Sequence, residues 1–317
     1  MRVLVTGGYG FIGSHLVRSL LEEGESVRVL DNFATGRLSN LADVRDDVDL
    51  VEGDLRSFER ASKAIRGCEI VFHQAALPSV PRSVQDPLTS SSVNAAGTQN
   101  ILLAARDEGV RRVVSASSSS VYGFNPSLPK REDMATLPMS PYAVDKLASE
   151  GYCRSFHRVY GLDTVVLRYF NVFGPRQDPN SQYSAVIPNF INAALDGESP
   201  TVHGDGTQSR DFTFVADVVS ANLLAARAPA LAAGEVFNIA CGNRTSLNEM
   251  LEMLGEMTGG PIVPLHDEAR VGDVPHSQAD ITKAREGLGF EPAYHFSDGL
   301  KITLEHYQEA RPALTRP

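Results

Sequence analysis

The sequence predicts an α/β fold in which a doubly wound parallel sheet is combined with a smaller, interleaved C-terminal lobe. Three observations support this prediction. Short β-rich runs alternate with amphipathic segments through the first half of the chain, the runs are nearly continuously apolar, and the alternation ends after residue 171. Apolar strands separated by helices are typical of a parallel sheet with both faces covered. Ligands of such sheets bind beyond the carboxyl ends of the strands.

The predicted elements follow one another in a regular order. The predicted strands have the sequences RVLVT, SVRVLD, VDLVEGD, EIVFHQA, RRVVSAS and DTVVLRYF. The helices predicted between them cover residues 11–23, 58–66, 95–108 and 143–159. Beyond them, two long loops are expected at GPRQDPNSQYS and HGDGTQSRDF, with one more strand at GEVFNIACG and a helix over 246–258.

We divide the chain into two interleaved units on this pattern. Residues 1–170, with a returning segment near 212–240, are expected to form a Rossmann-type domain that binds a dinucleotide. Residues 171–211 and 241–317 are expected to form the smaller lobe. The tail EARPALTRP is expected to be frayed.

Composition narrows the class of protein. The chain has 317 residues, which is enough to bury a sizeable core. A net charge of −10 argues against a general binder of nucleic acid or acidic membranes. The cysteines Cys68, Cys153 and Cys241 lack metal-type pairing, so we expect no metal and a reducing compartment. Because the chain opens with the strand-like MRVLVTGG and has no apolar run of spanning length, we expect a cytoplasmic protein without a signal peptide.

A glycine-rich turn follows the first predicted strand. TGGYGFIG places Gly7, Gly10 and Gly13 in G-x-x-G-x-x-G spacing immediately before a predicted helix. Glycines let the backbone turn tightly and approach a pyrophosphate, which then sits on amides at the helix N-terminus. Glycine-rich turns also simply connect elements, so the strand before and the helix after provide the necessary context. The turn therefore predicts a dinucleotide site.

An acidic residue completes this pattern. Asp31 ends the second predicted strand, where its carboxylate would bond ribose hydroxyls and repel a 2′-phosphate, favouring NAD over NADP. The alternative is that Asp31 caps a helix or forms a turn. Adenine and pyrophosphate contacts are expected where the third and fourth strands end, at Asp54, Leu55, Ala75 and Ala76, although Asp54 could equally be a turn former.

Hydroxyl groups mark the end of the fifth predicted strand. The run SASSSSVYG begins directly after the apolar RRVV, and SPYAVDK later places Tyr142 and Lys146 four residues apart on a predicted helix. That spacing puts both side chains on one helix face. The Lys146 ammonium and an oxidised nicotinamide would together lower the pKa of Tyr142, which could then act as a base with Ser118 as proton relay. A Tyr-x-x-x-Lys pair is common on helices, where its side chains usually only pack. Here it occurs together with the glycine-rich turn and the strand-end serine, and this combination indicates a catalytic site.

With these motifs in place, the chain resembles the extended short-chain dehydrogenases/reductases, in the branch of nucleotide-sugar 4-epimerases that act on UDP-hexoses and UDP-N-acetylhexosamines. The resemblance runs from Met1 to about residue 305. It is carried by GGYGFIG, DN at 31–32, SSSSVYG, PYAVDK, LRYFNVFGPRQDP, GDGTQSRDF and RVGDVPHSQADITKA. It implies NAD as cofactor, a UDP-sugar as substrate, and a homodimer through helices near 95–108 and 143–159.

The resemblance also implies roles for individual residues. Catalysis falls on Ser118, Tyr142 and Lys146. Cofactor contacts are implied for Gly7, Gly10, Phe11, Ile12, Gly13, Asp31, Asn32, Asp54, Leu55, Ala75, Ala76, Tyr142, Lys146 and Tyr169. Substrate contacts are implied for Ser118, Ser119, Ser120, Tyr142, Asn171, Val186, Arg210, Arg270, Asp273 and Ser277. The two arginines suit a diphosphate because their planar forks bind it bidentately, although either could instead be a surface ion-pair partner.

The residues beside the catalytic serine favour one reaction of the branch. Dehydratases and decarboxylases similar to this chain carry an acid next to the catalytic hydroxyl, whereas positions 117–120 here are all serine. Return of the hydride to the opposite face of carbon 4 is therefore the expected outcome. Ser277 stands where glucose-restricted epimerases have a tyrosine, so we expect N-acetylated sugars to be accepted; alternatively Ser277 merely packs and a group such as His276 closes the pocket.

Several other functions stay open at this point. They are a UDP-glucuronate 4-epimerase, a nucleotide-sugar dehydratase or decarboxylase of the same superfamily, a non-catalytic NAD-binding regulator, and a dehydrogenase that releases NADH. The intact set of Ser118, Tyr142 and Lys146 argues against the regulator. Accumulation of reduced cofactor would distinguish the dehydrogenase.

Overall fold

A seven-stranded parallel sheet forms the centre of the computed structural model, which describes residues 1–178, 186–268 and 274–311. The strands of the described residues are β1 (Arg2–Thr6), β2 (Ser26–Asp31), β3 (Val48–Glu52), β4 (Ile70–His73), β5 (Arg112–Ser118), β6 (Asp163–Tyr169), β7 (Val172–Phe173), β8 (Thr201–His203), β9 (Ser209–Arg210), β10 (Thr213–Phe214), β11 (Val236–Ile239), β12 (Thr245–Ser246) and β13 (Leu265–Asp267). The sheet has the order β3–β2–β1–β4–β5–β6–β11, and all its neighbours are parallel. This confirms the predicted doubly wound α/β fold.

Helices cover both faces of the sheet. In the described ranges they are α1 (Phe11–Glu22), α2 (Phe58–Ile65), α3 (Val80–Gln85), α4 (Pro87–Ser91), α5 (Gly97–Asp107), α6 (Pro141–Tyr160), α7 (Val186–Asp196), α8 (Val215–Arg227), α9 (Leu247–Thr258), α10 (Thr282–Leu288) and α11 (Phe296–Ala310). A π-helical turn at Ser92–Ala96 leads into α5. Within these ranges, none of the helices combines the length and the apolar character needed to cross a membrane.

Local sequence explains where the key elements begin and end. The four residues of β4 are all buried, as the continuous apolar run requires. Helix α6 begins at Pro141, where proline is tolerated, and the Ser140 side chain accepts a hydrogen bond from the amide of Ala143. It ends at Gly161, which adopts a left-handed φ of 70°. Helix α6, which holds Tyr142 and Lys146, is therefore fixed at both ends by its own sequence.

The chain order of the sheet places a crevice at one edge. The chain winds outward from β1 to β3 and then returns to β4 on the other side of β1, so the winding direction reverses between β1 and β4. In doubly wound folds, ligands bind outside the carboxyl ends of the strands at this point. The glycine-rich turn after β1 lies there.

The second half contains more regular structure than the sequence analysis expected. Helix α8 connects the small lobe back to β11, which pairs with β6 at the edge of the sheet. Buried residues, among them Val215, Val218, Ala221 and Ala225, recur along much of α8. Because α8 is buried around most of its circumference and its buried residues include Asp217 and Asn222, its sequence lacks the period by which a surface helix is recognised.

The smaller lobe has an apolar core of its own. Its buried members come from β7, β10, α7, α9 and α11, and include Phe173, Ile187, Phe190, Phe214, Met250, Leu254 and Leu300. The short strands outside the main sheet pair two by two, β7 with β10, β9 with β12 and β8 with β13. This packing holds β9 and the following residues against the mouth of the sheet.

Candidate active site

A cavity of about 1210 Å³ lies at the carboxyl ends of the central strands. One wall is formed by the ends of β2, β5 and β6 and by the loop after β4, and the other by Arg210, Val274, His276 and Ser277 of the small lobe. Pockets for a single drug-sized ligand are commonly about 300–1,000 Å³. The volume here is sufficient for two bound molecules side by side.

The glycine-rich turn has the shape that a dinucleotide fingerprint requires. Gly7 has a φ of +70°, and a Cβ at Gly13 would stand 2.1 Å from the carbonyl oxygen of Gly7. Helix α1 begins at Phe11 with no side-chain cap bond from Gly10 and no acid in its first turn. The amides at this helix start are thus left for an anionic ligand, and Phe11 and Ile12 line the cavity with them.

Asp31 lies at the end of β2, facing the turn. Its carboxylate accepts hydrogen bonds from the amides of Tyr9, at 2.9 Å, and of Phe33, at 2.8 Å. Burial raises the pKa of Asp31, while these amide bonds oppose the rise. The carboxylate is only 7% exposed but still lines the cavity. A fixed acid here fits the ribose of NAD and would repel an added phosphate.

The outer part of this wall contains the other predicted cofactor residues. Asn32 donates to Asp54 at 3.0 Å, and Arg56 forms an ion pair with Asp54 at 2.7 Å. Hydrogen bonds from Arg56 are the main cause that lowers the pKa of Asp54 to about 2. Leu55, Ala75 and Ala76 line the cavity beside them. The residues expected to hold NAD therefore lie along one wall and fit that cofactor.

The residues predicted to be catalytic meet where this wall reaches the small lobe. The Lys146 ammonium lies 6.0 Å from the centre of the Tyr142 ring and donates to the carbonyl of Ala116 at 2.9 Å. The Ser118 hydroxyl accepts from the amide of Ser120, at 3.2 Å, and from its hydroxyl, at 2.9 Å. Tyr142 and Ser118 line the cavity, and Lys146 is buried. The end of β5 at Ser118 and the face of α6 that holds Tyr142 and Lys146 therefore lie together, as predicted.

Burial dominates the ionisation of Tyr142 and Lys146. It raises the pKa of Tyr142 to about 12, against a hydrogen bond with Ser118 that lowers it. Burial also lowers the pKa of Lys146 to about 8. The predicted lowering of the Tyr142 pKa requires the Lys146 ammonium and an oxidised nicotinamide acting together, so it stays a prediction for the complex with NAD.

A buried ion pair between Glu150 and Arg168 contacts the serine-rich end of β5. Glu150, one turn beyond Lys146 on α6, accepts from the Ser117 hydroxyl at 2.6 Å and is paired with Arg168 at 2.6 Å. Arg168 also stacks over the Tyr122 ring, 4.8 Å from its centre. Both charged side chains are 4% exposed. Ser117 therefore ties β5 to α6, while Ser118, Ser119 and Ser120 line the cavity.

Tyr169 belongs to a closed ring of hydrogen bonds that the sequence analysis missed. Its hydroxyl donates to Gln74 at 3.1 Å and accepts from Asn222 at 2.8 Å, and Gln74 donates to Asn222 at 2.9 Å. Asn222 is fully buried on α8. Gln74 could have been found in the QAA motif, but nothing local in the sequence indicates Asn222.

The substrate end contains most of the remaining predicted residues. Asn171 has a positive φ of 36°, and its side chain donates to the Asp211 carbonyl at 3.1 Å. Ser277 is held by its amide, which donates to the Ser209 carbonyl at 3.0 Å, and it lines the cavity with Asn171 and Arg210. Val186 begins α7 and packs on the small-lobe core, so it does not line the described part of the cavity.

Two predicted substrate residues, Arg270 and Asp273, lie outside the described residues. Five described cations that line the cavity were not among the predicted site residues: Arg37, Arg56, Arg82, Lys130 and Arg176. Arg82 is part of the SVPRS segment and Arg176 of the GPRQ segment. Arg82 lies inside α3, and Arg176 lies in the loop after β7.

The fold and the site together define a class of enzyme. A glycine turn after the first strand, an acid at the end of the second, and a strand-end serine facing Tyr-x-x-x-Lys are the features of an extended short-chain dehydrogenase/reductase. The chain belongs to the NAD dependent epimerase/dehydratase family, whose family model matches residues 3–240.

Individual relatives agree with this membership. The chain is 40% identical over 316 residues to a UDP-glucose 4-epimerase of Mycolicibacterium smegmatis, covering 97% of this chain and 99% of that one. Its structure matches a UDP-N-acetylglucosamine 4-epimerase from Methanobrevibacter ruminantium, solved with UDP-N-acetylmuramic acid, with a TM-score of 0.93, 40% identity and coverage of 98% and 99%. It also matches the UDP-glucose 4-epimerase of Thermus thermophilus in complex with NAD, with a TM-score of 0.89, 37% identity and coverage of 98% and 100%.

Proposed function

We propose that this enzyme is an NAD-dependent 4-epimerase of UDP-sugars. It interconverts UDP-glucose and UDP-galactose, and also UDP-N-acetylglucosamine and UDP-N-acetylgalactosamine, through a transient 4-keto sugar. The observation that carries the proposal is the meeting of Ser118, Tyr142 and Lys146 in a cavity with a dinucleotide turn at one end. The names of the relatives support the same activity.

The protein's own residues perform the proton transfers and the positioning. When bound, NAD supplies a hydride acceptor that later becomes the donor. Tyr142 takes the proton from the 4-hydroxyl of the sugar, and the Lys146 charge stabilises the resulting phenolate. Ser118, already hydrogen-bonded to Tyr142, orients the same hydroxyl and can relay its proton. Asp31 and the glycine turn would hold the cofactor in position along one wall of the cavity.

The second half of the reaction depends on the substrate end. Arg210 and Asn171, with Arg270 and Asp273, hold the nucleotide and its diphosphate while the keto sugar turns about the diphosphate bonds. Tyr142 would then return its proton to the 4-oxygen of the turned sugar. Bound NAD would supply the hydride for the opposite face, so that no external oxidant is needed.

The carboxylates of the cavity wall favour epimerisation over dehydration or decarboxylation. Among the described lining residues, the carboxylates are Asp31, Asp54 and Asp178. The first two lie on the cofactor wall, and Asp178 is paired with Arg37 at 2.6 Å. Glu150 is close to the serines but is neutralised by Arg168. None of these acids stands beside Ser118, where a dehydratase would need one.

A UDP-glucuronate 4-epimerase is the second candidate function. The Arg82 guanidinium lines the cavity and has no ion pair among the described residues. Its chain neighbour Ser83 accepts a hydrogen bond from the Tyr142 amide at 3.1 Å, so Arg82 lies on the segment beside the catalytic tyrosine. A cation in this position would suit a sugar carboxylate.

Product analysis tests these alternatives directly. The purified enzyme would be incubated in parallel with UDP-glucose, UDP-N-acetylglucosamine and UDP-glucuronate, and the products separated by chromatography. We expect the C4 epimers of the first two. Turnover of UDP-glucuronate alone would favour the second candidate, and a 4-keto-6-deoxy product or a pentose would contradict epimerisation.

Ser277→Tyr should suppress the N-acetylated substrate selectively. Ser277 lines the cavity, and a phenol ring there would exclude a group on carbon 2 of the sugar. We expect the ratio of kcat/KM for UDP-glucose over UDP-N-acetylglucosamine to rise roughly 10- to 200-fold. Ser277→Ala is the matched control and should leave the ratio unchanged. An equal fall for both substrates would show that Ser277 only packs.

We also propose a homodimer that forms through α5 and α6. The apolar residues Val144 and Val159 on α6 are 52% and 67% exposed, which leaves surface for a partner helix pair. Light scattering at micromolar concentration should give twice the mass of one chain. The double variant Val144→Glu and Val159→Glu should shift the mass towards the monomer, whereas Leu231→Glu, at an exposed site elsewhere, should not. A wild-type monomer would rule the proposal out.

The two walls of the cavity suggest which part of the chain binds the cofactor and which part binds the substrate. We propose that residues 1–170, with the segment 212–240, hold NAD, and that 171–211 and 241–317 hold the nucleotide sugar. We also propose a cytoplasmic location, because the three cysteines are free thiols, as in a reducing compartment.

A further inference from the structure

Arg176 adopts an unusual backbone conformation at the edge of the cofactor cavity. Its φ is +65°, in the left-handed region that costs a residue with a Cβ of the order of 1 kcal/mol. The residue follows β7 and Gly174, and its side chain lines the cavity. Strained non-glycine residues persist where the surrounding structure holds them, often at ligand sites.

A neutral histidine fastens the Arg176 side chain. His15, one turn into α1, lies 2.8 Å by Nε2 from the carbonyl of Pro175. Because a carbonyl only accepts, Nε2 carries the proton, and Nδ1 is the ring nitrogen that can accept from the Arg176 guanidinium. The guanidinium nitrogen Nη1 lies 3.3 Å from Nδ1 and 3.4 Å from Nε2. Burial lowers the pKa of His15 to about 4, so the ring stays neutral. Arg176 is thereby tied to the helix that starts at the glycine turn.

Within the described ranges, no carboxylate forms an ion pair with the Arg176 guanidinium. The neighbouring cations are already matched, Arg18 by Asp43 and Arg37 by Asp178. Burial and the charge of Arg18 lower the pKa of Arg176, and the charge of Asp43, which is paired with Arg18, opposes this shift. An unmatched cation in such a place is costly unless an anion joins it.

We propose that Arg176 binds a phosphate group, and that this phosphate is part of the NAD pyrophosphate. The inference rests on the NAD-dependent reaction proposed above. Its support is the connection to α1, whose uncapped N-terminus and glycine turn lie on the same wall of the cavity. A guanidinium fork adds two parallel hydrogen bonds to phosphate oxygens. The strain at Arg176 is then retained because it places this fork beside the helix start.

Arg176→Asn tests the proposal with little risk to folding, because asparagine tolerates the left-handed conformation better than most residues. Loss of charged hydrogen bonds should weaken NAD binding roughly 10- to 100-fold. The measurements are NAD retained after gel filtration, NAD affinity by calorimetry and melting temperature of the NAD-free protein. We expect NAD to be lost, the melting temperature to hold or rise, the UDP affinity to stay the same, and turnover to recover at saturating NAD.

Arg18→Gln is the matched control, since it removes a neighbouring cation that does not line the cavity. It should keep its NAD, and an equal loss in both variants would overturn a specific role for Arg176. Wild-type NAD retention in Arg176→Asn, or a fall in UDP affinity instead, would also overturn the proposal, the latter by assigning the phosphate to the substrate. A wild-type enzyme that turns over no UDP-sugar, while Arg176→Asn still loses NAD, would refute the proposed function but not this inference.

Discussion

Tyr142→Phe should lose nearly all turnover, roughly 10²–10⁴-fold in kcat, while its affinity for UDP-sugars stays close to that of the wild type. Phenylalanine keeps the ring that packs at the start of α6 and removes only the oxygen that takes the substrate proton. Lys146 keeps its bond to Ala116, and Ser118 loses its bond to Tyr142 but keeps those from Ser120. Steady-state kinetics and calorimetry with UDP give the two numbers.

Tyr152→Phe is the matched control for this variant. It lies on the same helix, outside the residues that line the cavity, and should keep full turnover. A Tyr142→Phe enzyme with more than a tenth of wild-type kcat would show that another group acts as the base. A folded variant that loses UDP affinity as well would indicate that Tyr142 mainly positions the substrate.

Gly13→Ala should destroy the cofactor site. The added Cβ would stand 2.1 Å from the Gly7 carbonyl oxygen and 2.9 Å from the Gly8 Cα, both parts of the backbone. The turn must therefore open, and a strained close contact of this kind costs about 1–3 kcal/mol. This corresponds to roughly 10- to 100-fold weaker NAD binding, which gel filtration followed by absorbance at 260 nm would detect.

Gly260→Ala provides the comparison at a glycine outside both the cavity and the proposed dimer face. A Cβ at Gly260 would meet nothing within 4 Å. Alanine there should leave the stability close to that of the wild type and leave NAD bound. If Gly13→Ala also kept its NAD, the turn would not approach the cofactor and the assigned dinucleotide site would be wrong.

The parts that follow from local pattern could be predicted from the sequence. The strands of the sheet were recognised because buried parallel strands are apolar over their whole length, as in the four buried residues of β4. The glycine turn, Asp31 and the pair of Tyr142 and Lys146 were recognised because their chemistry depends on spacing along one segment. All of these line or adjoin the same cavity.

The features that depend on packing between distant segments could not be predicted from the sequence. Asn222 reaches Tyr169 across 53 positions of the chain, and Arg176 reaches His15 across 161. The pKa of Tyr142 is set by burial, which the spacing of the motif does not encode. Helix α8 is buried around most of its circumference and so lacks the period that marks a surface helix.

The most direct test of the central claim follows the hydrogen on carbon 4 of the sugar. UDP-glucose with deuterium at carbon 4 would be converted in ordinary water by the enzyme with its bound NAD, and the UDP-galactose formed examined by NMR and mass spectrometry. A hydride that is removed and returned within one active site predicts deuterium retained at carbon 4, hydrogen unchanged at carbon 5, and no build-up of NADH. Loss of the label to water, exchange at carbon 5, or NADH formed in proportion to sugar consumed would contradict the account.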